Sequence, residues 1–90
     1  MKDFLIEVRI TPRPGLLDPE GNAIQHALES LGFDETKDVR VGKAIFLTLT
    51  ADSEQAAVAS AEAMSRKLLA NPVTEDFEVS MVGALEGAGS

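Results

Sequence analysis

The stretch Asp38–Thr50 reads DVRVGKAIFLTLT, an alternating apolar run with Gly42 and Lys43 side by side near its middle. Gly-Lys is the heart of one kind of phosphate-cradling loop. That loop also needs a glycine five residues before its second glycine, and Ser or Thr after the lysine. Here residue 37 is lysine and residue 44 is alanine, so the backbone nest is missing. Arg40 and Lys43 remain as cations on a strand. There they serve either as contacts to a neighbour or an anion, or as charges that keep an edge soluble. His26 is the single histidine. A histidine can move protons at neutral pH, but no serine or cysteine nucleophile is implied beside it. Asp18 is a carboxylate whose position before Pro19 already gives it a role as a helix cap. Glu75, Asp76 and Glu78 read as a solvated acidic rim. The chain has no cysteine, which removes disulfides and thiolate chemistry, and a zinc site built on nitrogen and sulfur ligands is not expected.

These residues must be positioned by a small body. Ninety residues make one domain, and a chain of that length buries only about 60–65% of its unfolded surface. Hydrophobic residues are 44% of the chain, enough for a core, although many are alanines. The net charge of −7 argues against nucleic acid or an anionic membrane as partner and is ordinary for a cytoplasmic domain. No apolar run approaches the length of a membrane span, and MKDFLIEV lacks the apolar heart of a signal peptide.

Phe4, Ile6, Val8 and Ile10 alternate with Leu5, Glu7 and Arg9, the pattern of a strand with one buried face. The run stops at TPRPG, a turn signal. A first helix follows, with Asp18 as N-cap, Pro19 at the first helical position, an apolar stripe of Ile24, Ala27, Leu28 and Leu31, and Gly32 just past the end. Gly21 in its first turn weakens a helix, so close approach of another chain or a turn is expected there. Val39, Val41, Ile45, Leu47 and Leu49 are all at odd positions, so the alternation keeps phase across Gly42. A single long strand, bent or bulged at the glycine, is expected rather than a hairpin. A second helix begins near Asp52, whose pairing with Gln55 resembles a capping box. Its stripe is Ala57, Ala61, Met64 and Leu68, and Asn71-Pro72 ends it. A last strand covers about residues 75–82, with Phe77, Val79 and Met81 inward.

The expected fold is therefore α+β, a ferredoxin-like variant in the order β-α-β-α-β. It has one long bent middle strand and two helices packed on one face of an antiparallel sheet. The domain covers residues 1–82, and residues 83–90, GALEGAGS, are expected to form a flexible tail. A strand of about 14 residues spans roughly 45 Å, more than so small a domain covers, so self-association through it is expected.

Four motifs carry a resemblance. LLDPEGNAI, LESLGF, DVRVGKAIFLTL and LLANPVTEDFEV are similar, in order and spacing, to the PurS family over about residues 3–82. PurS is the small subunit of phosphoribosylformylglycinamidine synthase. The resemblance implies a non-catalytic subunit of a ligase that makes formylglycinamidine ribonucleotide from formylglycinamide ribonucleotide, glutamine and ATP in purine biosynthesis. It implies partners: a second copy (a dimer or a dimer of dimers), a glutaminase subunit and a synthetase subunit, which this chain bridges to aid ammonia transfer. It implies no cofactor of the chain's own, ATP and magnesium being used by the synthetase. The positions matching the family motifs, and so the candidate interface, are Asp18, Pro19, Gly21, Arg40, Gly42, Lys43, Asn71 and Pro72. The family usually has a bulky residue where this chain has Ala44. Within the resemblance, Gly42 would let the long strand bend into a second subunit's sheet.

Two other functions fit the residues alone. One is a domain that binds a small effector at a dimer seam. The other is a small enzyme using His26 with a carboxylate, against which stands the lack of any convergent acid, base and nucleophile.

Overall fold

A computed structural model describes residues 1–85. The elements run β1 (Lys2–Pro12), α1 (Pro19–Ser30), β2 (Lys43–Ala51), α2 (Glu54–Met64), a π-helical turn (Ser65–Leu69) and β3 (Glu75–Leu85). The sheet is antiparallel in the order β2-β1-β3. This is the β-α-β-α-β plan expected from the alternations.

The alternation in β1 buries Phe4, Ile6, Val8 and Ile10 almost completely. Register joins them to the flanking strands in rows: Leu47–Ile6–Met81 and Ile45–Val8–Val79 cross the sheet. Ala57 and Ala61 of α2, with Ala70, close the core from above. Their small side chains let the helix lie close on the larger aliphatic ones. Each fully buried Ile, Val or Phe is worth roughly 1.5–3 kcal/mol relative to exposure, so this central strand carries the core.

The middle strand is shorter than expected. It begins at Lys43, and residues 36–42 approach it as irregular chain. The alternation at Val39 and Val41 has a different cause. The Val41 N–H, which would have joined the ladder, donates instead to Asp18 Oδ2 at 3.0 Å.

The first helix also departs from expectation. Only α2 lies broadly against the sheet. Gly21 is the sole buried residue of α1, and Ile24 and Leu31 of its apolar stripe are exposed. Helical periodicity shows that a face is apolar, not what covers it.

The second helix is capped by Ser53, not Asp52: the Ser53 hydroxyl accepts from the Ala56 N–H at 3.1 Å. Near its end the π-helical turn adds a residue, with the Ala70 N–H donating to the Ser65 carbonyl at 2.9 Å. The inward row therefore runs Ala57, Ala61, Ser65, then Leu69 and Ala70. Leu68, expected inside, is 82% exposed. The buried Ser65 hydroxyl is satisfied by the Ala61 carbonyl at 2.8 Å.

The final strand passes the expected limit at 82. A bulge shifts its register between Leu5 and Ile6, after which Gly83, Ala84 and Leu85 pair with Leu5, Phe4 and Asp3. Small side chains do not prevent pairing, because the ladder uses backbone groups. The rest of the expected tail, 86–90, lies outside the described residues.

Candidate functional site

Asp18 sits at the N-terminus of α1 and uses both carboxylate oxygens. Oδ1 accepts the Gly21 N–H at 3.0 Å, as a helix cap should, and Oδ2 accepts the Val41 N–H at 3.0 Å. The Arg40 Nε lies 3.7 Å from Oδ2, and Nη2 donates to the carbonyls of Pro12 at 3.0 Å and Arg13 at 2.8 Å. The Arg40 Nε is itself buried without a hydrogen-bond partner. One carboxylate and one guanidinium thus clasp three pieces of chain: the start of α1, the approach to β2 and the end of β1. The N–H groups of Val41 and then Gly21, with a smaller contribution from the Arg40 charge, hold the Asp18 carboxyl below its usual range. A carboxylate engaged in this way is a weak base. The clasp borders an open cleft of about 540 Å³ lined in part by Leu16, Leu17, Asn22 and Asp38.

The glycines are explained by the same packing. A Cβ on Gly21 would lie 2.3 Å from the Val39 carbonyl oxygen and 2.6 Å from Asp18 Oδ2. The close approach expected at this position comes from the chain's own residue 39. A Cβ on Gly42 would lie 2.6 Å from the Ile10 carbonyl oxygen. Gly42 thus lets the approach to β2 pass close to β1 of the same chain. This contact within the chain by itself calls for glycine at this position. Lys43 follows at once, exposed and paired with Ile10 at the head of β2.

Asn71 and Pro72 lie across the end of β1 from the clasp. The Asn71 N–H donates to Glu75 Oε1 at 2.8 Å, Asn71 Oδ1 accepts from the Val73 N–H at 2.9 Å, and the Glu75 N–H donates to the Asn71 carbonyl at 2.8 Å. Arg13 ties this turn to the rest. Its N–H donates to the Thr74 carbonyl at 2.9 Å, its Nη2 to the Pro72 carbonyl at 2.7 Å, and its Nε lies 3.5 Å from Asp76. All the candidate residues, from Asp18 to Pro72, therefore gather at one end of the sheet, around the last residues of β1. The sequence reading missed Arg13 as their link. Its place between Pro12 and Pro14, in a turn with few N–H donors of its own, was the available signal.

His26 is exposed on α1 and makes no side-chain hydrogen bond among the described residues. No group of three His, Asp or Glu among the described residues is placed to hold a metal ion, and no helix there is long and apolar enough to cross a membrane.

Residues 5–83 match the family model PurS, described as phosphoribosylformylglycinamidine (FGAM) synthase. The chain belongs to the PurS family. It is 46% identical over 83 residues to the phosphoribosylformylglycinamidine synthase subunit PurS of Synechocystis, covering 90% of this chain and 80% of that one. To the PurS subunit of Bacillus subtilis it is 40% identical over 74 residues, covering 82% and 87%. The crystal structure of Methanocaldococcus jannaschii PurS superposes with a TM-score of 0.78 at 38% identity, covering 89% of this chain and 96% of that one. A chain of the structure of PurLQS from Thermotoga maritima superposes with a TM-score of 0.84 at 29% identity, covering 91% and 100%. The PurS match spans all the clustered positions, from Asp18 to Pro72.

Proposed function

We propose that this chain is the non-catalytic bridging subunit of a phosphoribosylformylglycinamidine synthase. It joins a glutaminase subunit to a synthetase subunit that spends ATP, with magnesium, on formylglycinamide ribonucleotide in the cytoplasm. The observation that carries this reading is the superposition on a PurLQS chain over that chain's whole length, at a TM-score of 0.84. The site geometry agrees with it. Asp18 has both oxygens engaged, so the strongest carboxylate candidate shapes a surface instead of offering a base. Asp18, Gly21, Arg40 and Gly42 build that end of the molecule, and Pro19, Lys43, Asn71 and Pro72 are exposed on it for contact with a neighbour.

A bridge answers a chemical need. Ammonia set free in neutral water becomes mostly ammonium, which is no nucleophile, so transfer between two sites must exclude water. Self-association follows from the exposed stripe of α1 and the unpaired edges of β2 and β3. The test is reconstitution with the glutaminase and synthetase subunits of the same source. Glutamine-driven product formation should require the chain, and ammonia-driven formation should persist without it. Glutamine-driven turnover indifferent to the chain would overturn the reading.

A further inference from the structure

Residues 16–41 run out from the end of β1 and return to the head of β2, and none of them belongs to the core or packs against it. Gly21 is the one buried residue of the stretch. What lies over it, the Val39 carbonyl and the Asp18 carboxylate, is part of the same stretch. The other ties are internal too. Asp18 accepts from the Gly21 and Val41 N–H groups, and Gln25 Nε2 donates to the Lys37 carbonyl at 3.3 Å. Helix α1 and the returning chain at 37–41 therefore hold each other and form one unit.

That unit is fastened to the rest of the molecule at one place. Arg40 Nη2 donates to the Pro12 and Arg13 carbonyls. Among the described residues, the only other hydrogen bond across the boundary is the long one from the Leu16 N–H to the Arg13 carbonyl, 3.3 Å, inside the turn where the unit begins. A side chain does this work for a reason readable in the backbone. The ladder of β1 with β2 stops at Ile10–Lys43, and Pro12 has no N–H with which to carry it on. The guanidinium takes the carbonyls that the ladder leaves. Asp18 Oδ2, 3.7 Å from the Arg40 Nε, keeps the guanidinium on the unit's side of the contact. Both joints are glycines. Gly15 has a φ of +86° and open space where a Cβ would stand, and Gly42 passes the Ile10 carbonyl.

We propose that residues 16–41 are a hinged flap that opens as one body while the sheet and α2 stay folded, and that the Arg40 guanidinium is its latch. Opening gives up the two bonds of Arg40 and the long bond of the turn, and it uncovers no core side chain. It therefore costs far less than unfolding the sheet. Leu17, Ile24 and Leu31 ride on the flap, so its angle sets where the apolar surface of α1 is presented. Asp18 works within the flap, joining α1 to the returning chain, and Arg40 alone reaches the sheet.

The experiment is hydrogen exchange of the full chain, read residue by residue, with concentration varied so that cover by a second copy is seen separately. The reporters are the amides of α1 and of Val41 for the flap, and those of Phe4–Ile10 and 57–64 for the body. In the parent, the flap amides should exchange together and at least about tenfold faster than those of β1. Arg40→Gln should speed the flap on the order of tenfold and leave the body unchanged, because hydrogen bonds from a charged donor are lost only there. Arg9→Gln, on the exposed face of the sheet, is the control and should leave the flap as it is. Flap amides that exchange at the rate of β1 in the parent would overturn the proposal, since the unit would then open only with the whole chain. Fast exchange in α1 with Val41 at the rate of the body would overturn it as well, reducing the motion to fraying of one helix. So would an Arg40→Gln variant that leaves the flap unchanged, or that speeds β1 and α2 as much as the flap.

Discussion

Gly21 shows how a residue that looks wrong for its element can be required by its neighbour. In a helix interior glycine costs up to about 1 kcal/mol relative to alanine. Here the Val39 carbonyl occupies the space a methyl group would need. Gly21→Ala is expected to destabilise the chain by about 1–3 kcal/mol, despite the better propensity, because the approach to β2 must move off Asp18. Urea denaturation at neutral pH checks it; an unchanged or raised midpoint would contradict the close approach. The sequence carried half of this. The cap at Asp18 and Pro19 was readable from residue types, because capping is local. The partners of its second oxygen were not, because Val41 lies 23 residues further on. The strand pattern shows Arg40 as a cation able to reach beyond its strand, but not that it reaches the chain's own carbonyls at Pro12 and Arg13.

The strands were legible and the helices only partly so. In β1 alternate residues point to opposite faces, and the buried row of Phe4, Ile6, Val8 and Ile10 follows directly from the sequence. Helix α2 offers the same kind of inference until the π-helical turn breaks its period. Ala57 and Ala61 are inside as the spacing requires, and Leu68 is not. No composition signal marks the inserted residue, since Leu68 and Leu69 are identical side chains in adjacent places. They can be told apart by substitution. Leu69→Ala removes packing against the core and should cost about 1–3 kcal/mol, less than the full range for a completely buried leucine because Leu69 is half-buried. Leu68→Ala should stay within about 0.5 kcal/mol of the parent. Chemical denaturation of the two variants side by side decides it, and a regular helix would reverse their order.

The whole molecule is thin, with principal extents of 51 × 29 × 16 Å, one sheet and one helix deep over most of its area. A helix of twelve residues that buries only Gly21 is marginal by itself in water. The apolar residues along α1 and its flanks, including Leu17 at 81% exposure and Leu31 at 73%, are thus surface that assembly is needed to cover. The melting midpoint is accordingly expected to rise with protein concentration, as it does when folding and association are linked. Calorimetric scans over a hundredfold range of concentration would show it, and a constant midpoint would mean that α1 stands without a neighbour. The exposed apolar residues along α1 join the open edges of β2 and β3 as surface that a second copy could cover, while the approach to β2 is held at home by the clasp.

The register of β1 with β3 sets Asp3 opposite Leu85, while Lys2 faces Ala51 on the other side. Both outer strands therefore bring their last residues back to where the central strand begins, and the clasp lies at the far end. In topological terms the described fold is almost a ring. A short linker from residue 85 to residue 2 closes it, and the opening can then be placed in another exposed turn, such as residues 31–36. A circular permutant of that kind keeps every ladder pairing and leaves Asp18, Arg40 and Arg13 in their places.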